Sequence, residues 1–437
     1  MEIKYLNKKN INVFSLLAIG ILYFFIGLFF LLQKHTLIFA IKGLLNLLTI
    51  LLLISGFLQL LGFSLVKQKR IESLARGFGF LSNTLMAALI YFKPQMIISI
   101  LPISFGIYAF SSGIIRLLIY IQYRRNKVDG RILILIGSFV LSFFGLMMVT
   151  KPLSYLPSIS NLIGVFFILY GLAFIVDSID EGLPREKKDY YKRRVRINLP
   201  VFMVAMIPHK VLRQINKAFE VDKLSEDDLV SFKNDSPSDL EILIHVGEKG
   251  TTAFGHVDIY FNGKILTYGS YDESTYKLKG LISDGVLMEI EDKDKYIEFS
   301  QDYFNKTLFG FGLKLTEDQK YRVKEKINDI YENLYVWKPV GQIAEESNMG
   351  KKTYKDYASI VYDRLRAKFY KFKEGPFKTY FGLNTNCVLL ADTIVGQAGI
   401  DIIKINGLIT PGAYFEYFNR EFARKNSFVV SRTIYYK

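Results

Sequence analysis

The chain has 437 residues, half of them hydrophobic and 15% aromatic, and it carries a net charge of +15 with a single cysteine. One cysteine cannot form an internal disulfide, which excludes the small disulfide-stabilised secreted domains. Long apolar runs crowd the first ~180 residues and charge crowds the rest, so the composition predicts a membrane half joined to a soluble half. Much of the positive excess flanks apolar runs and no nucleic-acid motif occurs, so we expect the lipid bilayer, not nucleic acid, as the partner.

Six apolar runs are long enough to cross the hydrocarbon core of a membrane. They cover about 12–32, 43–66, 74–92, 95–121, 132–150 and 158–179. The third run is the weakest, because "RGFGFLSNTLMAALIYF" is polar at its start. The first run is longer than the core of a signal peptide and lacks a small-residue cleavage site, so we predict a retained helix.

The six runs repeat in pairs with a period of about 58 residues. Glycines recur at matching places: Gly20, Gly79 and Gly137 in the odd spans, and Gly56, Gly113 and Gly171 in the even spans. Such self-similarity predicts three copies of one helical hairpin. Glycines at fixed positions allow helix backbones to approach closely in lipid, so we interpret these as packing positions.

The placement of lysine and arginine predicts the orientation of the spans. One side receives eighteen of these residues: Lys4, Lys8, Lys9, Lys67, Lys69, Arg70, Arg76, Arg124, Arg125, Lys127, Arg131, Arg185, Lys187, Lys188, Lys192, Arg193, Arg194 and Arg196. The other side receives four: Lys34, Lys42, Lys93 and Lys151. The positive-inside rule therefore predicts a multi-pass protein of the cell membrane with both termini in the cytoplasm.

The repeat length, the glycine placement and the "KP" turns at Lys93 and Lys151 make residues 10–180 resemble the HdeD-like family of bacterial membrane proteins. That family is built from repeated helical hairpins with six spans. The resemblance implies an all-α six-helix transmembrane bundle over 1–180. The family is linked to acid stress without a defined chemical activity, so the resemblance implies an architecture and little mechanism.

A basic linker at 181–198 is predicted to precede a soluble α+β domain at 199–437. Within it, "LPVFMVAMIP" at 199–208 is too short to span a membrane and reads as a core strand or an interfacial segment. "LEILIHVG" reads as a strand, and "GHVDIYFNGKILTYGSYD" reads as a hairpin around an Asn-Gly turn. "VLMEIEDKDKYIEFS" is interpreted as one or two further strands.

Three further segments are predicted to be helical in whole or in part. "LTEDQKYRVKEKINDIYENL" has the periodicity of an amphipathic helix with Thr316 as its N-cap. "DYASIVYDRLRAKFYKF" is helical or mixed. "NCVLLADTIVGQAG" reads as a short helix that is capped by Asn386 or Thr385 and ends near Gly399.

Cys387 lies in the first turn of that last helix, and His256 begins the first strand of the hairpin. A helix N-terminus stabilises anions and favours the nucleophilic thiolate. A histidine within reach would stabilise the thiolate and then act as acid and base. The competing interpretation is simpler: a lone cysteine is usually a small buried hydrophobe, and a lone histidine is usually structural.

A third group would orient the imidazole, and two aspartates compete for this role. Pairing across the two-residue turn puts Gly269 opposite His256 and Thr267 opposite Asp258. Asp272 then needs a bulge near Gly269 to face the site, and a glycine within a strand often marks a bulge. Asp258 shares the face of His256 but lies on the same strand. We predict Asp272, with Asp258 as the alternative. His245 is interpreted as structural, and no metal site or cofactor is predicted.

Residues 240–405 resemble permuted papain-like cysteine enzymes. The resemblance rests on three short motifs in this order: Phe254-Gly255-His256, Tyr268 to Asp272, and Asn386-Cys387. These enzymes belong to the NlpC-type superfamily and include the lecithin-retinol-acyltransferase-like and YiiX-like proteins. The resemblance implies a thiol hydrolase or acyltransferase with Cys387 as nucleophile and His256 as base. A bilayer-side location favours an acyl ester or amide substrate that is a lipid or is lipidated. One alternative is a non-enzymatic membrane stress protein with a soluble binding module. Another is a transporter, but the apolar runs lack the charged residues expected within the spans of a transporter.

Overall fold

The computed structural model describes residues 13–32, 36–65, 70–182, 196–197, 230–232, 237–247, 255–304, 306–348, 354–382, 384–399, 402–403, 411–423 and 427–435. These fall into two compact units. The helical unit comprises Ile19–Tyr120 and Gly130–Leu172, and the sheet unit comprises Met1–Ala18, Ile121–Asp129 and Ala173–Lys437. Most of the predicted linker 181–198, all of the apolar segment 199–208, and Phe254 lie outside the described residues.

Six long helices occupy the first part of the chain. They are α1 (Val13–Leu32), α2 (Thr36–Leu65), α3 (Arg70–Phe92), α4 (Pro94–Arg125), α5 (Arg131–Thr150) and α6 (Leu156–Gly182). Five segments are long and apolar enough to cross a membrane: Val13–Leu32, Phe39–Gly62, Pro94–Arg125, Arg131–Thr150 and Pro152–Val176. The length and composition of these helices therefore indicate a membrane protein. The predicted third span coincides with α3, whose charged first turn makes it less apolar than the others.

Two of the repeated glycines lie where helices of the helical unit approach each other closely. A Cβ at Gly171 would lie 2.5 Å from the Phe24 nitrogen of α1. A Cβ at Gly113 would lie 2.3 Å from the Ser142 Oγ of α5. Any side chain at these positions would force the helices apart, which supports the interpretation of both glycines as packing positions.

The sheet unit is α+β and is organised around one antiparallel sheet of nine described strands. In spatial order the strands are β2 (Val230–Phe232), β13 (Val429–Tyr435), β8 (Lys306–Leu313), β3 (Leu240–Gly247), β4 (His256–Phe261), β5 (Lys264–Gly269), β7 (Val286–Ile290), β10 (Lys368–Phe372) and β9 (Leu334–Val336). Two small pairs stand apart: β1 (Arg196–Ile197) with β12 (Ile402–Ile403), and β6 (Ile282–Asp284) with β11 (Thr379–Phe381). The predicted strand "LEILIHVG" and the hairpin at the Asn-Gly turn are confirmed as β3 and β4–β5.

Helices cover both faces of this sheet. They are α7 (Lys293–Phe304), α8 (Glu317–Glu332), α9 (Val340–Glu346), α10 (Tyr357–Leu365), α11 (Cys387–Val395) and α12 (Pro411–Ala423). Side chains of α8, α11 and α12 build the core on one face, together with Val257 and Ile259 of β4. Side chains of α7 and α10 build the core on the other face, with Leu243 and Ile265. The centre of the sheet, at β3, β4 and β5, is consequently buried on both sides.

The helix predictions hold in this unit, and one strand prediction is wrong in part. Thr316 caps α8 through a capping box in which it accepts from Gln319 N–H and the Gln319 side chain accepts from Thr316 N–H. "DYASIVYDRLRAKFYKF" is mixed, because α10 is followed by β10. "VLMEIEDKDKYIEFS" contains one strand, β7, and then helix α7. Asp292 accepts the Lys295 N–H, which satisfies a donor of the first turn and begins the helix where a second strand was expected.

Candidate functional site

The hairpin β4–β5 positions the candidate base and its neighbours. Asn262 and Gly263 occupy the left-handed region, with φ of 48° and 78°, as a two-residue turn between antiparallel strands requires. The pairs Ile259↔Leu266, Tyr260↔Ile265 and Phe261↔Lys264 set the register. These three pairs agree with the pairing predicted across the Asn-Gly turn, and the paired stretch of β4 and β5 ends at Ile259 and Leu266.

Gly255 makes the entry to β4 possible. Its φ is +86°, a conformation that side-chain-bearing residues rarely adopt, and a Cβ there would lie 2.9 Å from the His245 carbonyl oxygen. His256 follows directly and pairs with His245 of β3 across the sheet. Gly255 therefore has a backbone role: it lets the chain turn tightly into the strand that carries His256.

Cys387 is the first residue of α11, as the sequence indicated. Asn386 is the N-cap, and its side chain accepts the Leu389 N–H at 3.1 Å. The Asn386 amide also donates to the Gly382 carbonyl at 3.1 Å, which ties the cap to the preceding loop. Cys387 is 5% exposed, and α11 packs against β4 and β5. The thiol is thus presented at the positive end of a helix against the strand that carries His256.

Cys387 acts on His256 through its charge and a side-chain hydrogen bond, and both raise the pKa of the imidazole. Three oxygens surround His256 Nε2: Thr267 Oγ1 at 2.7 Å, Asp258 Oδ1 at 2.9 Å and Tyr271 Oη at 3.2 Å. One N–H proton cannot be shared equally among three oxygens. The charge of the Asp258 carboxylate acts on an imidazolium at this distance whichever oxygen takes the proton.

Asp258 is completely buried and has partners on both of its oxygens. His245 Nε2 lies 2.5 Å from Asp258 Oδ2, and the Tyr296 hydroxyl donates to the same oxygen at 2.7 Å. The second oxygen, Oδ1, faces His256. A carboxylate in a low-dielectric core is stable only when it is paired and hydrogen-bonded. His245 therefore has a definite place in the site, as the second histidine on the orienting carboxylate.

The charges of this cluster shift its pKa values strongly. Burial alone would lower the pKa of His256, but the negative charges of Cys387 and Asp258, with hydrogen bonds to both, raise it to about 10. Burial alone would raise the pKa of Asp258, but His256 and His245 hold it well below its usual value. At neutral pH the geometry thus favours an imidazolium at position 256 that faces the Asp258 carboxylate.

Asp272, predicted as the third member of the site, lies elsewhere. Its carboxylate accepts from Lys371 Nζ at 2.6 Å and from the Ser274 hydroxyl at 2.6 Å, and it caps the short turn Glu273–Thr275. β5 pairs with β7 in unbroken register through Gly269↔Val286, and the Asp272 carboxylate is bonded to Lys371. The geometry therefore favours the alternative, Asp258, as the carboxylate that faces His256.

Tyr271 and Thr267 were not identified as site residues from the sequence. The Tyr271 hydroxyl lies 2.7 Å from Thr267 Oγ1, so the two hydroxyls and His256 Nε2 form a triangle. Gly269 makes this possible, since a Cβ there would lie 2.5 Å from the Tyr271 ring. The signal in the sequence was Gly269, which leaves room for an aromatic ring from two residues further along the chain.

No group of three or more histidine, cysteine, aspartate or glutamate side chains that could hold a metal ion occurs among the described residues. The polar atoms around His256 come from one carboxylate, two hydroxyls and one thiol. Their chemistry fits a thiol–imidazole pair with an orienting carboxylate.

Comparison with protein-family models gave no match for this chain. Searches of curated proteins and of solved structures also returned no match. Function must accordingly be argued from the geometry of the site itself.

Proposed function

We propose that the sheet unit is a cysteine hydrolase or acyltransferase that acts through a thioester on an acyl ester or amide. The proposal is carried by the position of Cys387 at the start of α11, which packs against β4, and by His256 of β4, which interacts with Cys387 and faces the buried carboxylate of Asp258. Nucleophile, base and orienting group stand in a chain, which is the arrangement by which such sites are recognised on unrelated folds.

In the first half of the reaction, the Cys387 thiolate attacks the acyl carbonyl carbon and forms a C–S bond. The carbonyl electron pair moves to oxygen and returns as the bond to the leaving alcohol or amine breaks. The His256 imidazolium gives its proton to the leaving group. Since Nε2 faces three oxygens, we assign this proton to Nδ1. The backbone N–H of Cys387, in the first turn of a helix, stabilises the oxyanion.

In the second half, neutral His256 takes a proton from water or from an acceptor alcohol or amine. The resulting oxygen or nitrogen nucleophile attacks the thioester carbon, and the C–S bond breaks to regenerate the thiolate. The proton that His256 gained restores the imidazolium. The acyl group leaves as a carboxylic acid with water, or as a new ester or amide with an acceptor, so the cycle is balanced without a cofactor.

Asp258 and its partners keep the imidazole in place during both halves. The buried carboxylate stabilises the imidazolium that faces it, and His245 with Tyr296 fixes the position of the carboxylate. Thr267 and Tyr271 hold Nε2 from the side. A base whose partners are themselves locked by hydrogen bonds loses little entropy in the transition state.

For the membrane part, we propose six spans, with α3 as the third, and both termini in the cytoplasm. The sequence repeat and the excess of positive residues on one side support this topology. It places the thiol site on the cytoplasmic side, where cell-wall peptides are not found. A lipid ester or amide, or a lipidated protein, is therefore the favoured substrate class. The resemblance of the motifs to permuted papain-like enzymes supports the same reading.

The proposal is tested with the full chain in detergent micelles and p-nitrophenyl octanoate as the acyl donor. We expect a burst of p-nitrophenol and an octanoyl adduct on Cys387 that mass spectrometry of the digested protein locates. His256→Ala should abolish the adduct, and Gln342→Ala, a change on α9 outside the site, should leave it unchanged. Vesicles of phospholipid with labelled acyl chains then test the lipid class through release or transfer of the label.

An unmodified Cys387 after prolonged exposure, with burst and adduct both missing, would reject the enzyme proposal. The soluble half would then be a binding or regulatory module of a membrane stress protein, the alternative that the sequence left open. A C-terminal reporter that is active only outside the cytoplasm would overturn the topology and reopen cell-wall peptides as substrates.

A further inference from the structure

The sheet unit includes a short segment from the first part of the chain, Ile121–Asp129, which contains the last turn of α4 and the turn that follows it. This segment hydrogen-bonds to the loop that leads into Cys387. We call this loop the nucleophile loop and define it as residues 375–382 and 384–386. The residues that meet here are separated by more than 250 positions in sequence.

Gln122 makes the most direct connection. Its Nε2 donates to the Thr379 carbonyl at 2.7 Å and to the Thr385 hydroxyl at 2.9 Å. The Thr385 hydroxyl in turn donates to the same Thr379 carbonyl at 3.0 Å. Thr385 is completely buried and stands two residues before Cys387. One amide group thus holds the nucleophile loop at two points, in its middle and next to the helix that presents the thiol.

Asn126 adds two further contacts. Its side chain exchanges hydrogen bonds with the Thr379 hydroxyl at 3.1 and 3.2 Å, and its backbone carbonyl accepts the Gly375 N–H at 2.9 Å. Asn126 and Thr385 are both buried. Buried polar side chains that are hydrogen-bonded favour one arrangement of the backbone that they bind.

We propose that Gln122 and Asn126 are positioning residues, which hold the nucleophile loop so that Cys387 meets His256. This proposal rests on the proposed thiol function. The Thr379 carbonyl accepts from both Gln122 and Thr385, so loss of the amide donor leaves a partly buried carbonyl and hydroxyl to rearrange. A shift of the loop moves the first turn of α11, because Asn386 is tied to Gly382 and caps the helix.

The two side chains differ in what they tolerate, which provides matched variants. Gln122 acts only as a donor to Thr379 and Thr385, so Gln122→Glu puts a carboxylate against a carbonyl, and Gln122→Met removes the donor without a charge. Asn126 also accepts from the Thr379 hydroxyl, so Asn126→Asp keeps one of its bonds. The corresponding changes at Gln342 of α9, Gln342→Glu and Gln342→Met, are the controls.

The experiment measures the rate at which iodoacetamide alkylates Cys387 in the full chain in detergent, at about pH 6 and about pH 9.5. At the lower pH a thiol reacts only when a neighbouring imidazolium keeps it ionised, and at the higher pH any thiol is largely ionised. Gln122→Glu and Gln122→Met should slow the reaction about tenfold at the lower pH and change it less than about twofold at the higher pH. Asn126→Asp loses the amide donor and puts a charge at a buried position, so it should also slow the reaction at the lower pH, by a smaller factor. Both Gln342 variants should stay within about twofold at both pH values.

A merely structural role gives a different pattern, because a loosened protein exposes the buried thiol and speeds alkylation at both pH values. That pattern in both Gln122 variants, or wild-type rates at both pH values, overturns the positioning role. His256→Ala separates this inference from the proposed function. If His256→Ala slows alkylation at low pH and the Gln122 variants do not, only the positioning role is rejected. If His256→Ala does not change the alkylation rate at low pH, both the thiol function and the positioning role are rejected.

Discussion

The strand β4 around Asp258 and the segment after β5 around Asp272 each contain a buried aspartate that is held by cations, yet the two regions differ in what the cations can do. Asp258 faces two histidines and the Tyr296 hydroxyl. Asp272 faces Lys371, which also bonds Asp284 and stands over the Trp337 ring. Neighbouring cations lower the pKa of both carboxylates against the opposing effect of burial.

The difference lies in the proton that each partner can release. Burial would lower the pKa of Lys371, but Asp272 and Asp284 raise it above its ordinary value, so this lysine stays charged at every physiological pH. Histidine changes its charge in the range where enzymes work once a neighbouring negative group is neutralised. A buried ion pair with lysine is a structural element, and one with histidine can pass a proton. The residue type of the partner, more than the burial of the carboxylate, therefore distinguishes an ion pair that can take part in catalysis from one that is only structural.

The largest effect should separate the two aspartates in activity. Asp258→Asn removes the charge that stabilises the His256 imidazolium, so we expect p-nitrophenyl octanoate turnover to fall on the order of 10²–10⁴-fold. Asp272→Asn should change turnover less than about threefold in the protein that remains folded. Equal losses of turnover in the two variants, measured as burst amplitude per folded molecule, would contradict this comparison.

The second effect concerns stability. Asp272→Ala leaves Lys371 with one carboxylate, Asp284, and removes the cap of the turn Glu273–Thr275. We expect the free energy of unfolding of the sheet unit to fall by about 2–3 kcal/mol. Denaturant unfolding monitored by the fluorescence of Trp337, which packs against Phe369, gives the measurement. Asp284→Ala is the matched control, with a smaller loss because Asp284 is more exposed; an equal or larger loss there would assign the main stabilising role to Asp284.

The third effect is the pH dependence of His256. Its pKa in the folded protein, about 10, lies above the ordinary value of 6.5. The imidazolium therefore contributes stability that is complete below about pH 6.5 and is lost as the pH rises to about 10. Cys387→Ala removes one of the two negative groups that raise this pKa, so we expect the pKa of His256 to fall.

Imidazole resonances of histidine-labelled protein, followed by NMR as the pH is raised, report this change directly. His245 gives an internal comparison, because its contact with Asp258 is unaltered in Cys387→Ala. If the pKa of His256 is the same in both proteins, the thiol and the imidazole do not interact as the geometry indicates.

The smallest effect should come from the hydroxyls. Tyr271→Phe removes the hydroxyl that lies 3.2 Å from His256 Nε2 and leaves Thr267 and Asp258 in place. We expect turnover to fall about two- to fivefold, with an unchanged stack on Tyr357. Thr267→Val removes the closer hydroxyl and should cost more than Tyr271→Phe. The opposite order, measured in the same burst assay, would show that Tyr271 is the main partner of the ring nitrogen.

The sequence was sufficient for elements that depend on local chemistry. The Asn262-Gly263 turn predicts its own hairpin, and the three observed pairs from Phe261↔Lys264 to Ile259↔Leu266 have the predicted register. Thr316 and Asn386 predict the starts of two helices, because each side chain accepts a hydrogen bond from a backbone N–H of the first turn. The positions of Cys387 and His256 follow from these elements, because one starts a capped helix and the other starts a strand.

The choice between Asp258 and Asp272 depended on contacts that no local pattern encodes. Asp272 is bonded to Lys371, which is far along the chain, and this partner was invisible in the sequence. His245 and Tyr296 come to Asp258 from β3 and α7, and α7 was itself mistaken for a strand. The Tyr271 ring reached the site through space left by Gly269, where a bulge had been expected.

The contacts of Ile121–Asp129 with the nucleophile loop have a consequence for the order in which the protein is made. During synthesis this segment leaves the ribosome long before the nucleophile loop. Its side-chain amides therefore cannot bond that loop until the last part of the chain has been made. The nucleophile loop and Cys387 are synthesised only at the end of that interval. A fragment that begins after α6 would keep the Thr379 carbonyl and the Thr385 hydroxyl without Gln122. In the intact chain, the Gln122 amide is already present when its two partners leave the ribosome.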